Sequence, residues 1–96
     1  FVIKEQIMAK RFVVYGRVQG VGFRYFTWKE AEKIGIKGTV RNCTDGSVEI
    51  IAEGNDDQLQ HFYDWLNVGP RTASVERVLI DNIEDKRYSD FSIIHR

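Results

Sequence analysis

Cysteine is almost missing: Cys43 is alone, so no internal disulfide can form, and a reducing compartment is the simpler expectation. Long hydrophobic runs are missing too. None approaches the roughly 20 apolar residues needed to span a bilayer as a helix, and no signal-peptide pattern is found, so a cytoplasmic protein without a membrane partner is expected. Neither charge sign is in excess, because fourteen basic residues cancel fourteen acidic ones. A neutral surface offers nucleic acid no general attraction, so any anion binding must be local. There is one proline, and no repeat, low-complexity tract or linker, which argues for one domain.

What remains is an ordinary globular composition: 96 residues, 43% hydrophobic and 12% aromatic. The only methionine, Met8, is read as the native start. Phe1–Ile7 is expected to be an upstream extension, leaving a single domain over residues 8–96.

Lys10–Arg17 alternates as a strand does, with Phe12, Val14 and Val18 on one parity. Phe23, Phe26, Thr27, Ala31 and Ile34 follow helical spacing, with Gly35 as the stop. Lys37–Cys43 and Ser47–Glu53 are β-rich and flank Thr44-Asp45-Gly46, a hairpin signal. Asn55-Asp56-Asp57-Gln58 reads as a capping box opening a second helix, on which Leu59, Phe62, Tyr63 and Leu66 share a face until Gly69-Pro70. Ser74–Ile80 and Phe91–Ile94 complete the strands, separated by a charged loop over Asp81–Asp90. The order predicts an α+β, ferredoxin-like split βαβ sandwich: a mainly antiparallel sheet, βαββαβ plus a short extra strand, with two helices on one face.

The chemistry concentrates in Gly16-Arg-Val-Gln-Gly-Val-Gly-Phe-Arg24, where three glycines fall within seven positions just before a helix. Glycines let backbone amides turn inward, a helix start is positive, and a guanidinium fork matches phosphate oxygens. The segment reads as a phosphate-holding loop. In a split βαβ unit the loop after strand one and the turn after strand two emerge at the same end of the sheet, about 10 Å apart. That geometry pairs Arg24 with Asn42. Tyr25 stands where a dinucleotide fingerprint needs its third glycine, and no Lys-Ser or Lys-Thr follows, so the Rossmann and Walker readings fail. His61 and His95 are expected to face solvent, Arg17 and Arg41 to be surface charges, and Cys43 to be half-buried. None of these makes a metal-ligand spacing.

Val14-x-Gly16-x-Val18-Gln19-Gly20-Val21-x-Phe23-Arg24 resembles the phosphate-loop signature of the acylphosphatase family. Gly38-x-Val40-Arg41-Asn42-x-x-Asp45-Gly46-x-Val48, with Gly54 following, resembles its second signature, and the likeness covers residues 8 to 96. Thr39 departs from the family, which usually carries an aromatic residue there. The resemblance implies metal-independent hydrolysis of the carboxyl–phosphate bond in small acyl phosphates by an acylphosphate phosphohydrolase without cofactor. The expected partners are the substrate and inorganic phosphate, and the expected state is a monomer. It also implies that Arg24 binds the phosphoryl group, together with backbone amides of Gln19, Gly20, Val21, Gly22 and Phe23, and that Asn42 orients the attacking water. Two alternatives remain: a non-catalytic phosphate-binding accessory domain of this fold, and an RNA-binding module. The second is disfavoured because Ser47–Glu53 carries two acids and no aromatic residue where RNA-recognition strands need one.

Overall fold

The computed structural model describes residues 6–95; of the expected extension Phe1–Ile7, only Gln6 and Ile7 lie among them. Seven elements follow in order: β1 (Met8–Arg17), α1 (Phe23–Ile34), β2 (Lys37–Asn42), β3 (Val48–Gly54), α2 (Asp56–Val68), β4 (Ser74–Ile83) and β5 (Phe91–Ile94). The sheet order is β4-β1-β3-β2-β5, antiparallel throughout except where β5 lies parallel to β2. This is the α+β, ferredoxin-like arrangement the sequence pattern predicts. β1 starts two residues before the expected Lys10, β2 stops one short of Cys43, and β3 is shifted by one residue to Val48–Gly54; the largest difference is in β4. Asp81, Asn82 and Ile83, read from sequence as loop, prolong β4 by pairing with Arg11, Lys10 and Ala9.

Alternation sorts each strand. Phe12, Val14, Val40, Val48, Ile50 and Ala52 point to the helical side, where they meet Phe23 and Ala31 of α1, and Leu59, Phe62 and Leu66 of α2. Phe62 joins the halves of this core edge-on, 6.0 Å from Phe12 and 6.2 Å from Phe91. Phe26 departs from the expected apolar stripe: it is 37% exposed, while Phe23, Thr27 and Ala31 form the buried face of α1.

The opposite face carries charge. Glu49 sits between Arg11 and Arg41 at 2.5 and 2.7 Å. Burial pushes the Glu49 carboxyl up, but hydrogen bonds from Arg41 and Arg11 outweigh it and hold the group below its ordinary value. These pairs clamp β2 to β3 beside Asn42, and β3 to β1.

β4 and β5 occupy opposite edges, so residues 84–90 must cross four inter-strand steps, about 19 Å. Seven residues reach about 24 Å when extended, leaving little slack. Glu53, on the central strand and only 3% exposed, accepts hydrogen bonds from the backbone amides of Lys86, Arg87 and Tyr88 at 2.6, 3.1 and 2.8 Å. A buried carboxylate therefore staples the crossing at its midpoint and fixes where β5 begins.

Glu53→Ala should lower stability by at least about 2 kcal/mol in urea unfolding, because three amides lose a charged acceptor. Because the folded-state value of Glu49 is depressed, its contribution is complete above the ordinary carboxylate range and disappears as pH falls through the depressed value. Glu49→Gln should flatten that acid limb when unfolding is followed against pH.

Candidate active site

Register places the two halves of the site. Val14 and Asn42 both pair with Val48, so they lie in one row, two inter-strand steps apart. Asn42 shares the parity of buried Val40, which sends its side chain to the helical side, whereas neighbouring Arg41 turns to the charged face. β1 runs on to Arg17 and delivers the following loop to this same end, beneath the start of α1.

That loop is pinned at both ends by buried residues, Val18 and Phe23. Between them Gly20 (φ 73°) and Gly22 (φ 79°) adopt left-handed backbone, which strains any residue with a Cβ. At Gly20 the reason is conformation alone, since a Cβ there would meet nothing within 4 Å.

Three long-range hydrogen bonds hold the loop in place. The Gln19 side-chain amide donates to the carbonyls of Cys43 and Ser47, both at 2.8 Å, and so ties the loop to the β2–β3 hairpin. That hairpin is itself closed by Asp45, whose carboxylate accepts from the hydroxyl and amide of Ser47, donations that hold it below its ordinary value. From the other side, the Thr72 hydroxyl donates to the Val21 carbonyl at 2.7 Å. Because a trans peptide opposes its C=O and N–H, this contact sends the Gly22 amide the opposite way.

The two helices begin differently. At α2, Asn55 and Gln58 form a full capping box, and Asp56 and Asp57 occupy the first turn. At α1 the N-cap is Gly22, no side chain caps it, and the first turn holds no acid but a cation, Arg24. The α1 start thus keeps its amides and its positive end facing outward, with a guanidinium added.

A cavity of about 190 Å³ opens here, lined by Val18, Gly20, Gly22, Phe23, Arg24, Tyr25, Asn42, Ile93 and His95. It brings Arg24 and Asn42 together, as the sequence predicts. Among the described residues, no acidic side chain lines it. Arg24 Nη1 donates to the Ile94 carbonyl at 3.1 Å, so β5 orients the guanidinium. Asn42 Oδ1 is buried without a hydrogen-bond partner among the described residues, an acceptor held ready at the edge of the cavity. The Gln19 side chain faces the hairpin, which leaves its backbone amide in the loop that leads to the cavity. His95 is exposed as expected but stands at the rim.

Thr72, Ile93, the Ile94 carbonyl and Tyr25 were not visible as site residues in the sequence. The first three come from elements 51 or more residues away from the loop they serve, and no local pattern marks them. Tyr25 had a signal, an aromatic residue beside Arg24 and off the buried helical stripe. Among the described residues, no three His, Cys, Asp or Glu side chains gather as metal ligands would.

The acylphosphatase family model matches residues 10–93. A protein from Pasteurella multocida named acylphosphatase is 57% identical over 88 residues, covering 91% of this chain and 98% of that one. Among solved structures, an acylphosphatase from Bacillus subtilis superposes with a TM-score of 0.89 at 38% identity, covering 94% of this chain and all of the other. One from Coxiella burnetii gives 0.88 at 36% identity over 92% and 93% of the two chains. With both signature loops converging on one cavity and relatives matching over nearly their whole length, the chain belongs to the acylphosphatase family.

Proposed function

We infer that this protein is an acylphosphatase, hydrolysing the carboxyl–phosphate bond of small acyl phosphates to a carboxylate and inorganic phosphate. The observation that carries the reading is the uncapped α1 start with Arg24 in its first turn, facing a buried, unpartnered Asn42 oxygen across one cavity. The phosphoryl group sits against the amides of the loop from Gln19 to Phe23, with the Arg24 guanidinium on its oxygens. Asn42 accepts a hydrogen bond from the attacking water and aims its oxygen at phosphorus.

A water oxygen–phosphorus bond forms while the phosphorus–acyl oxygen bond breaks, and the carboxylate leaves with the electron pair. Its conjugate acid has a pKa of about 4, so it departs without a proton and no general acid is needed. The proton lost by the water goes to a phosphate oxygen of the substrate, because an amide side chain is too weak a base to take it. Phosphoryl transfer spreads charge over the equatorial oxygens, and fixed amides plus one guanidinium meet that charge without rearranging. The chemistry supplied by these side chains needs no metal. A monomer acting in the cytoplasm completes the reading, and the lone Cys43 fits a reducing compartment.

Arg24→Gln should reduce turnover of an acyl phosphate by at least about 10²-fold in a chelator-containing assay. Asn42→Ala should do likewise while inorganic phosphate still inhibits; full turnover in that variant would end the water-orienting role. Gln19→Leu, which unties the loop from the hairpin, should lower kcat by about tenfold or more through misalignment. Steady-state kinetics reads all three.

A further inference from the structure

Two large apolar side chains stand in solvent beside the cavity with no role in the core: Tyr25 is 49% and Phe26 is 37% exposed. They form one surface, their ring centroids 5.4 Å apart, and Trp28 extends it at 6.0 Å from Tyr25. A contiguous aromatic patch at a binding site marks something it contacts. Helical side chains lean toward the helix N-terminus, so residues 25 and 26 overlie the turn at Gly22. Phe26 does so: its ring edge would lie 3.4 Å from a Cβ placed on Gly22. Tyr25 itself lines the cavity with Gly22 and Arg24.

The inside of the cavity is closed by Val18 and Phe23, each 1% exposed. A phosphoryl group held by the Gly20–Gly22 loop therefore cannot send its acyl substituent inward. The substituent has to leave by the mouth, where Tyr25, Ile93 and His95 stand. We propose that Tyr25, with Phe26 behind it, is an acyl-binding wall that favours acyl phosphates carrying a flat, apolar acyl group. This assignment rests on the hydrolase reading above. The Tyr25 ring offers its face or edge to a planar acyl group, as aromatic pairs do, and a two-carbon acyl group is too small to cover it. Lys29, with its Nζ 6.0 Å from the Tyr25 ring centroid, contributes a cation that steadies the ring from the solvent side.

The test compares kcat/KM for benzoyl phosphate and acetyl phosphate in the wild type, Tyr25→Ala, Tyr25→Phe and Phe26→Ser, with circular dichroism to establish that each variant is folded. In Tyr25→Ala the benzoyl-to-acetyl ratio should fall by about three- to tenfold, the range of one aromatic contact, chiefly through a raised KM for benzoyl phosphate. Tyr25→Phe should keep the ratio, since the ring and not the hydroxyl makes the contact, and Phe26→Ser should lower it to a smaller extent. An unchanged ratio in both Tyr25→Ala and Phe26→Ser, in a protein that hydrolyses both substrates, would overturn the acyl wall and leave the hydrolase reading intact. A wild type that hydrolyses neither would instead remove that reading, and the wall with it.

Discussion

A helix that starts on glycine, without a capping side chain and with arginine in its first turn, is an unfavourable arrangement on its own. Unpaired amides and a like-signed charge both oppose it. The opposition vanishes when a dianion sits at that end, so the α1 start is stable in itself only to the extent that the surroundings force it. Much of the rest of the molecule supplies that force. Val18 and Phe23 anchor the loop in the core, Gln19 ties it to one hairpin, and Thr72 holds it from the far side. α2, with its full capping box and two acids in its first turn, shows the ordinary solution within the same chain.

The second tier of support reaches across the sheet. Arg24 leans on the Ile94 carbonyl, and β5 is a short edge strand that is anchored at its start by the crossing segment before it. That segment is held by Glu53, whose carboxylate collects three amides at the middle of its span. A buried acid on the face away from the site thus positions a guanidinium in it, through one loop and one strand. Gly38 marks the other end of this junction, where its amide donates to the Asp90 carbonyl at 2.9 Å as β5 joins the sheet.

The elements and the two central residues of the candidate site were legible because local rules agree with the global fold. The α1 limits, Phe23–Ile34, and the β5 limits, Phe91–Ile94, follow from periodicity and glycine punctuation alone. Asn42 was legible because a split βαβ order brings the turn after β2 to the same end of the sheet as the loop after β1, and because its surroundings resemble the family's second signature. Phe26 misled because helical spacing identifies a stripe but not its edge. Phe26 fits the i+3 spacing from Phe23, yet the buried face runs through Thr27 and Ala31. Glu53 and Thr72 were illegible in principle, since a buried acid and a loop threonine acquire their meaning from chain that folds back 33 and 51 residues away.

The sparseness of the site follows from the bond it breaks. A leaving group that needs no proton removes the need for a general acid, and a loose transition state removes the need for a strong base. What remains is to hold a phosphoryl group and a water in line, a purely positional task. Positioning is governed by how rigidly a few groups are held, not by how many titrate. On the reading proposed above, one guanidinium, one carboxamide and a set of backbone amides meet that task. The side chains of Gln19, Thr72 and Glu53 serve that task from outside the cavity, through hydrogen bonds that hold the loop and the crossing before β5. In such a site specificity has only one place to reside, the mouth through which the acyl group leaves.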